Sequence, residues 1–202
     1  MKILNANQLD EAAELLRQGK VIAFPTETVY GLGVVYDSKE AYDELVKVKR
    51  RPPTKPFTLM VADREDVEKF AALNKVSKAI VNNLMPGQIT MITKAQPGLP
   101  SWCVSDIGNI GVRIADYDLI RDLIRKTGKP LLVPSANKSG EQPGTTAKEV
   151  ADAFGDEIAA VVDGRTVSNL PSTIVLVEET HTEIFREGAI KIEDIKKAIQ
   201  KE

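Results

Sequence analysis

Short apolar runs that stop at a proline or a polar cluster, alternating with stretches of helical periodicity, constrain this chain more than any other feature of its sequence. Val21 to Phe24 is a continuous apolar run ended by Pro25, and Leu131 to Val133 is another ended by Pro134. Runs this short and this uniformly apolar suit strands buried on both faces. Phe57 to Val61, Ile89 to Thr93, Ile110 to Ile114, Ala159 to Val162, Thr173 to Val177 and Glu183 to Phe185 read as further strands. Leu9, Ala12, Ala13 and Leu16 recur at helical spacing ahead of Gly19, a residue that commonly ends a helix. Ser38 can cap a second helix with Ala41, Leu45 and Val48 on its inner face, and two helical stretches fit between Asp63 and Leu84. A helix joins Tyr117 to Lys126, Thr146 and Glu149 have capping-box spacing ahead of Val150 and Phe154, and Ile192, Ile195 and Ile199 share one face of a closing helix. This alternation over one domain, residues 1–202, predicts an α/β layered fold. The adjacent short strands near the end predict a mixed rather than wholly parallel sheet.

Composition narrows the function classes. With 43% hydrophobic and 28% charged residues the chain can bury a core, and a formal net charge of −2 argues against a general nucleic-acid coat protein. Any anion site must therefore be local. The single cysteine, Cys103, cannot form an internal disulfide or supply a thiolate cluster, which suits a reducing compartment. With no N-terminal apolar run and no stretch of membrane-spanning length, the expected location is the cytoplasm, with no membrane partner.

Four polar segments sit at the ends of predicted strands, where α/β proteins place ligand sites. Pro25 to Gly33 puts two threonine hydroxyls and Glu27 between a strand end and a Gly-x-Gly turn, a loop able to hold an amino acid or simply to bond its own backbone. Lys47 to Lys55 carries five basic residues and no acidic one around Pro52-Pro53. A solvated charge run is the plain reading, but adjacent prolines can fix Lys49 and Arg51 in direction, which favours a phosphate or RNA site. Both side chains can then be directed at one polyphosphate, with Arg50 pointing away. Pro134 to Gly140 offers small hydroxyl, amide and glycine residues that let a ligand approach the backbone. Finally, Pro171-Ser172-Thr173 and Arg186-Glu187-Gly188 can bring a hydroxyl and a guanidinium to one rim. His181, in a polar turn, and Cys103, beside Trp102, read as structural.

Together these segments resemble the YrdC-like family of threonylcarbamoyl-adenylate synthases, over nearly the whole chain from Lys20 to Gly188. The family's Pro-Thr-Glu-Thr-x-Tyr-Gly-Leu-Gly loop stands as Pro25 to Gly33 and its Lys-x-Arg-Pro motif as Lys49 to Pro52. Its Pro-Gly is Pro86-Gly87 with Thr90 beyond, and its strand ending in arginine is Ile110 to Arg113. Its Pro-Ser-Ala-Asn-x-Ser-Gly motif is Pro134 to Gly140, and its Ser-Thr and Arg-x-Gly motifs are Ser172-Thr173 and Arg186 to Gly188. The resemblance implies a twisted mixed sheet flanked by helices with an open concave basic cleft, in the short single-domain form. It implies that Thr26, Arg113, Ser135 and Ser172 contact threonine or its carbamate, and that Lys49, Arg51, Asn137, Thr145 and Arg186 contact ATP, with Lys49 and Arg51 catalytic and Asn109 a further nucleotide contact. The family often has histidine near Met60, and Thr58, on the same strand face, is the substitute for threonine binding.

The implied reaction joins L-threonine, bicarbonate and ATP into threonylcarbamoyl-AMP and pyrophosphate, for use by a downstream tRNA threonylcarbamoyltransferase. Charge builds on phosphate oxygens, so fixed cations and Mg²⁺ brought with ATP matter more than a protein nucleophile. A double-stranded RNA or tRNA-binding module without catalysis is the rival reading, although it has no need of separated positions such as Thr26, Asn137, Ser172 and Arg186. Carbamoyl-adenylate chemistry on another acceptor, as in hydrogenase-maturation carbamoyltransferases, is a second.

Overall fold

The structure, a computed structural model, describes residues 1–51, 56–168, 170–179 and 181–201. Its strands are β1 (Lys2–Leu4), β2 (Ile22–Phe24), β3 (Gly31–Val35), β4 (Leu59–Met60), β5 (Ile89–Lys94), β6 (Asn109–Arg113), β7 (Leu131–Leu132), β8 (Ala160–Val162), β9 (Thr173–Val177) and β10 (Thr182–Arg186). Its helices are α1 (Leu9–Arg17), α2 (Lys39–Lys49), α3 (Arg64–Val67), α4 (Lys75–Leu84), α5 (Asp118–Thr127), α6 (Ala147–Phe154) and α7 (Ile192–Gln200). The strands join one sheet in the order β1-β8-β2-β3-β7-β4-β6-β5-β9-β10. Four pairs are parallel (β1 with β8, β8 with β2, β4 with β6, β5 with β9) and the others antiparallel, so the sheet is mixed, as expected. α1 packs on α5 and α4 on α7, and every residue of β2, β3 and β8 is buried.

Two strands were not expected. β1 has only three residues, too few to show a period, and its edge place beside β8 comes from pairing that only the fold supplies. β3 occupies the Gly-x-Gly that reads as a turn. A Cβ on Gly33 would lie 2.4 Å from the Phe24 ring, and one on Gly31 would lie 2.6 Å from Val133 Cγ1. Both glycines are therefore missing side chains in a crowded layer rather than turn residues, and they let Phe24 lie across the neighbouring strand.

The expected capping box at α6 is half formed. Thr146 Oγ1 accepts from the Glu149 amide, while the Glu149 carboxylate accepts from the amide and hydroxyl of Thr145 instead. A further tie holds α3 to α5: Asp63 accepts from Arg125 Nη2 at 2.6 Å and from Arg121 Nη2 at 3.0 Å. Arg125 first, then Arg121, lowers the Asp63 carboxyl to about 2. A carboxylate with a depressed folded pKa contributes stability that is fully present above its unfolded value and is lost as pH falls through the folded one. Asp63→Asn should therefore lower the urea midpoint near neutral pH, modestly because the pair is partly exposed. That gap should close as pH falls from about 4 to about 2; a gap independent of pH would rule out the ion pair as its cause.

Candidate functional site

The polar segments converge on one open cleft of about 810 Å³. Its floor and walls take Thr26 and Thr28 from the loop after β2, Thr58 and Met60 from β4 and the residues before it, and Thr90 and Ile92 from β5. Asn109 and Arg113 come from the two ends of β6, Ser135 and Asn137 from the loop after β7, and Ser172 and Arg186 from around β9 and β10. Arg51 lines it beyond the end of α2.

The threonine loop is internally bonded. Thr26 Oγ1 donates to the Val29 carbonyl at 2.7 Å, accepts from the Thr28 amide at 3.1 Å and lies 2.9 Å from the Thr28 hydroxyl. Tyr30 anchors the loop from beneath, donating to the Gly164 carbonyl at 2.9 Å, and burial followed by the nearby Asp163 pushes its phenol up to about 12. At the cleft floor Arg113 Nη2 donates to Glu27 Oε1 at 2.7 Å and to the Thr28 hydroxyl at 3.1 Å. The Arg113 and Glu27 side chains are 7% and 4% exposed, so this ion pair is held away from water. On the next wall the Ser172 hydroxyl lies 3.1 Å from that of Thr90, and Arg186 donates to the Ser172 carbonyl through Nε at 3.0 Å and Nη2 at 2.9 Å. A β-bulge between Ile184 and Arg186 breaks the alternation of β10, and both Phe185 and Arg186 line the cleft.

Nine of the expected contacts line this cleft: Thr26, Arg51, Thr58, Asn109, Arg113, Ser135, Asn137, Ser172 and Arg186. Lys49 and Thr145 do not. The hydroxyl of Thr145 caps α6 through Glu149. Lys49, 3% exposed, turns inward, and its ammonium donates at 2.7 Å to each of three oxygens, the carbonyls of Ser135 and Asn137 and Asn137 Oδ1. Its own carbonyl accepts from the amide and hydroxyl of Ser139. The Lys49 ammonium is thus taken up by the Ser135–Asn137 loop, although Arg51 stands near enough to act on its charge. Arg50 closes α2 in the left-handed conformation, φ 51°, and the chain turns between them. Arg51 instead lies over the Phe57 ring, 5.1 Å from its centroid, and reaches the Pro56 carbonyl at 3.4 Å. Arg50 is exposed and approaches Glu157 at 3.9 Å. The rest of the basic run, Pro52 to Lys55, lies outside the described residues, so the expected basic cleft reduces to three guanidinium groups, on Arg51, Arg113 and Arg186, with Glu141 as the carboxylate on the lining.

Sequence reading named Thr90 beyond Pro86-Gly87 but gave it no ligand contact, and it did not find the structural partnership of Glu27 with Arg113. The first was recoverable, since Thr90 and Ile92 share a face of β5 by simple alternation. The second joins residues 86 apart and needs the fold. Cys103 is buried, its thiol pushed up to about 12 by burial and then Asp37, and His181 is exposed near Glu183. Cys103→Ser and His181→Ala should leave activity within about threefold, because neither is on the cleft lining; a hundredfold loss from either, in folded protein, would move the chemistry. Among the described residues no group of three or more His, Cys, Asp and Glu is placed to hold a metal ion, and no helix is long and apolar enough to cross a membrane.

A mixed α/β sheet with hydroxyls, an amide and guanidinium groups converging on an open cleft defines a small-molecule site for polar, anionic ligands. The family model for Sua5/YciO/YrdC, described as telomere recombination, matches residues 14–188, and the chain belongs to that family. It is 34% identical over 167 residues to the threonylcarbamoyl-AMP synthase of Yersinia enterocolitica, covering 80% of this chain and 88% of that one. It is 33% identical over 198 residues to the threonylcarbamoyl-AMP synthase of Bacillus subtilis, where the match covers 96% of this chain and 57% of the longer relative. Among solved structures, P. abyssi Sua5 complexed with L-threonine superposes with a TM-score of 0.93 at 29% identity, over 98% of this chain and 61% of that one.

Proposed function

We propose that the protein forms L-threonylcarbamoyladenylate and pyrophosphate from L-threonine, bicarbonate and ATP, supplying a tRNA threonylcarbamoyltransferase that modifies adenosine. The observation that carries this reading is the cleft itself, which gathers seven separated positions of the family's motifs on one lining, with Thr58 and Asn109 beside them. Relatives bearing the synthase name, and the likeness to a threonine complex, support it. Threonine lies at the Thr26, Arg113 and Ser172 end, with Thr58 and Ser135 beside it. The triphosphate lies towards Arg51, with Asn109 and Asn137 on the nucleotide, and Arg186, bonded to Ser172, stands where the phosphates meet the amino-acid end.

Threonine's amine attacks the carbon of bicarbonate, with loss of water, to give a carbamate whose oxygen attacks the α-phosphorus as pyrophosphate leaves. The residues do the positioning: Arg113 orients the amino acid, and Arg51 and Arg186 face oxygens on which negative charge grows. Mg²⁺ bound with ATP would neutralise phosphate charge, and Glu141 is the lining carboxylate able to face it. The test is a mass-spectrometric search for threonylcarbamoyl-adenylate after incubation with ATP, Mg²⁺, bicarbonate and threonine. Pyrophosphate release that persists without threonine would exclude the reaction, and tight RNA binding without turnover would favour a binding module.

A further inference from the structure

The three cleft guanidinium groups differ in what balances them. Arg51 bonds to the Pro56 carbonyl and lies on an aromatic ring, and Arg186 bonds to the carbonyl and hydroxyl of Ser172. These partners are neutral, and neither arginine has a carboxylate within ion-pair distance among the described residues. Arg113 alone of the three is paired with one, Glu27 at 2.7 Å. Inside that buried pair Arg113 Nε and Glu27 Oε2 each lack a hydrogen-bond partner. The Glu27 backbone carbonyl also accepts from the amides of Val167 and Ser168, which fixes the main chain of the residue.

Resting on the threonine-plus-ATP reading, we infer that Glu27 is a specificity-determining residue: by neutralising Arg113 it makes one end of the cleft selective for a zwitterionic amino acid and leaves polyphosphate to the uncompensated Arg51 and Arg186. A buried arginine without a counter-charge attracts any anion strongly, and most strongly one of high charge. Pyrophosphate or a nucleotide tail would then compete for the amino-acid end. With Glu27 buried behind it, Arg113 presents little net charge to a polyanion, while its guanidinium, which lines the cleft, still offers donors to the carboxylate of a zwitterion.

Glu27→Gln removes the charge and keeps the size. With intact protein in Mg²⁺-free buffer, calorimetry with pyrophosphate and L-threonine as probes reads the outcome. In the wild type the two should bind together, saturating pyrophosphate changing threonine affinity by less than about threefold; in Glu27→Gln pyrophosphate should displace threonine, weakening it about tenfold or more. Glu27→Asp, which retains the charge, should behave as the wild type. Undiminished simultaneous binding in folded Glu27→Gln overturns the assignment alone, whereas wild-type protein that binds pyrophosphate but no threonine overturns the threonine reading and this assignment with it. Should Glu27→Gln fail to fold, the wild type decides. Between about 50 and about 500 mM NaCl pyrophosphate should weaken about tenfold and threonine by less than about threefold, and equal weakening would refute the division of charge.

Discussion

Lys49→Met should lower product formation by about a hundredfold or more, through the geometry of the Ser135–Asn137 loop and not through a lost phosphate contact. The Lys49 ammonium has three N–H groups and uses them on three oxygens of that loop, two of them backbone carbonyls. Methionine fills similar space but takes the lysine donor from the Asn137 carbonyl, at about 1–3 kcal/mol for an unmet buried group, and leaves the Ser135 carbonyl and Asn137 Oδ1 with one donor each, the Asn137 amide and the Ser135 hydroxyl. The loop must then move to find water, carrying with it Ser135 and Asn137, which line the cleft. The same bonds give the pH dependence its sign. Burial, with Arg51 adding to it, pulls the ammonium down to about 8. Below that pH three donors meet three acceptors; above it a neutral amine has two donors, so kcat should fall as pH rises through about 8. Arginine should not rescue the site, because a planar fork cannot replace a compact ammonium with three divergent donors. Urea unfolding and steady-state kinetics of Lys49→Met distinguish the roles. A positioning residue costs stability and kcat together, whereas unchanged stability with a raised KM for ATP would return Lys49 to the phosphates.

Much of this site can be read in the sequence because its motifs are continuous and close strands whose apolar runs are themselves legible. Pro134 to Gly140 follows β7, and its Ser135 and Asn137 reach the cleft as expected. Arg113 ends β6, and its strand is marked by Ile110 and Val112, both buried. What escapes is direction and partnership. Nothing in Lys49-Arg50-Arg51 reveals that the middle residue adopts a left-handed conformation, an arrangement uncommon for a residue with a side chain, or that Lys49 bonds the Ser135–Asn137 loop while Arg51 lines the cleft. Nor does Gly31-Leu32-Gly33 disclose that its glycines accommodate the Phe24 ring, because turn glycines and crowded-strand glycines look alike until the facing side chain is known. The Glu27–Arg113 pair is of the same kind: two charges far apart in sequence meet only once β2 and β6 are placed in one sheet.

Arg51→Ala should reduce product formation by roughly thirty- to thousandfold, the range of about 2–4 kcal/mol expected when a preorganised charge is withdrawn from a transition state. The guanidinium lies on the cleft lining over Phe57, with Nε buried and unpartnered in the protein. An arginine held over a ring has already lost much of its side-chain freedom, so its alignment with phosphate oxygens requires little further ordering when ATP arrives. Burial lowers its pKa without removing its charge at neutral pH, and the field it projects is less screened than that of a solvated side chain. Arg50 supplies the control. It is the adjacent residue and bears the same charge, but its side chain is 63% exposed and directed at Glu157. Arg50→Ala should therefore cost less than about threefold. Single-turnover product formation at saturating ATP, measured for both variants after their folding is verified, separates fixed geometry from diffuse attraction. Equal losses would mean that a general positive potential draws in the nucleotide, and a wild-type rate in Arg51→Ala would place the triphosphate away from this wall.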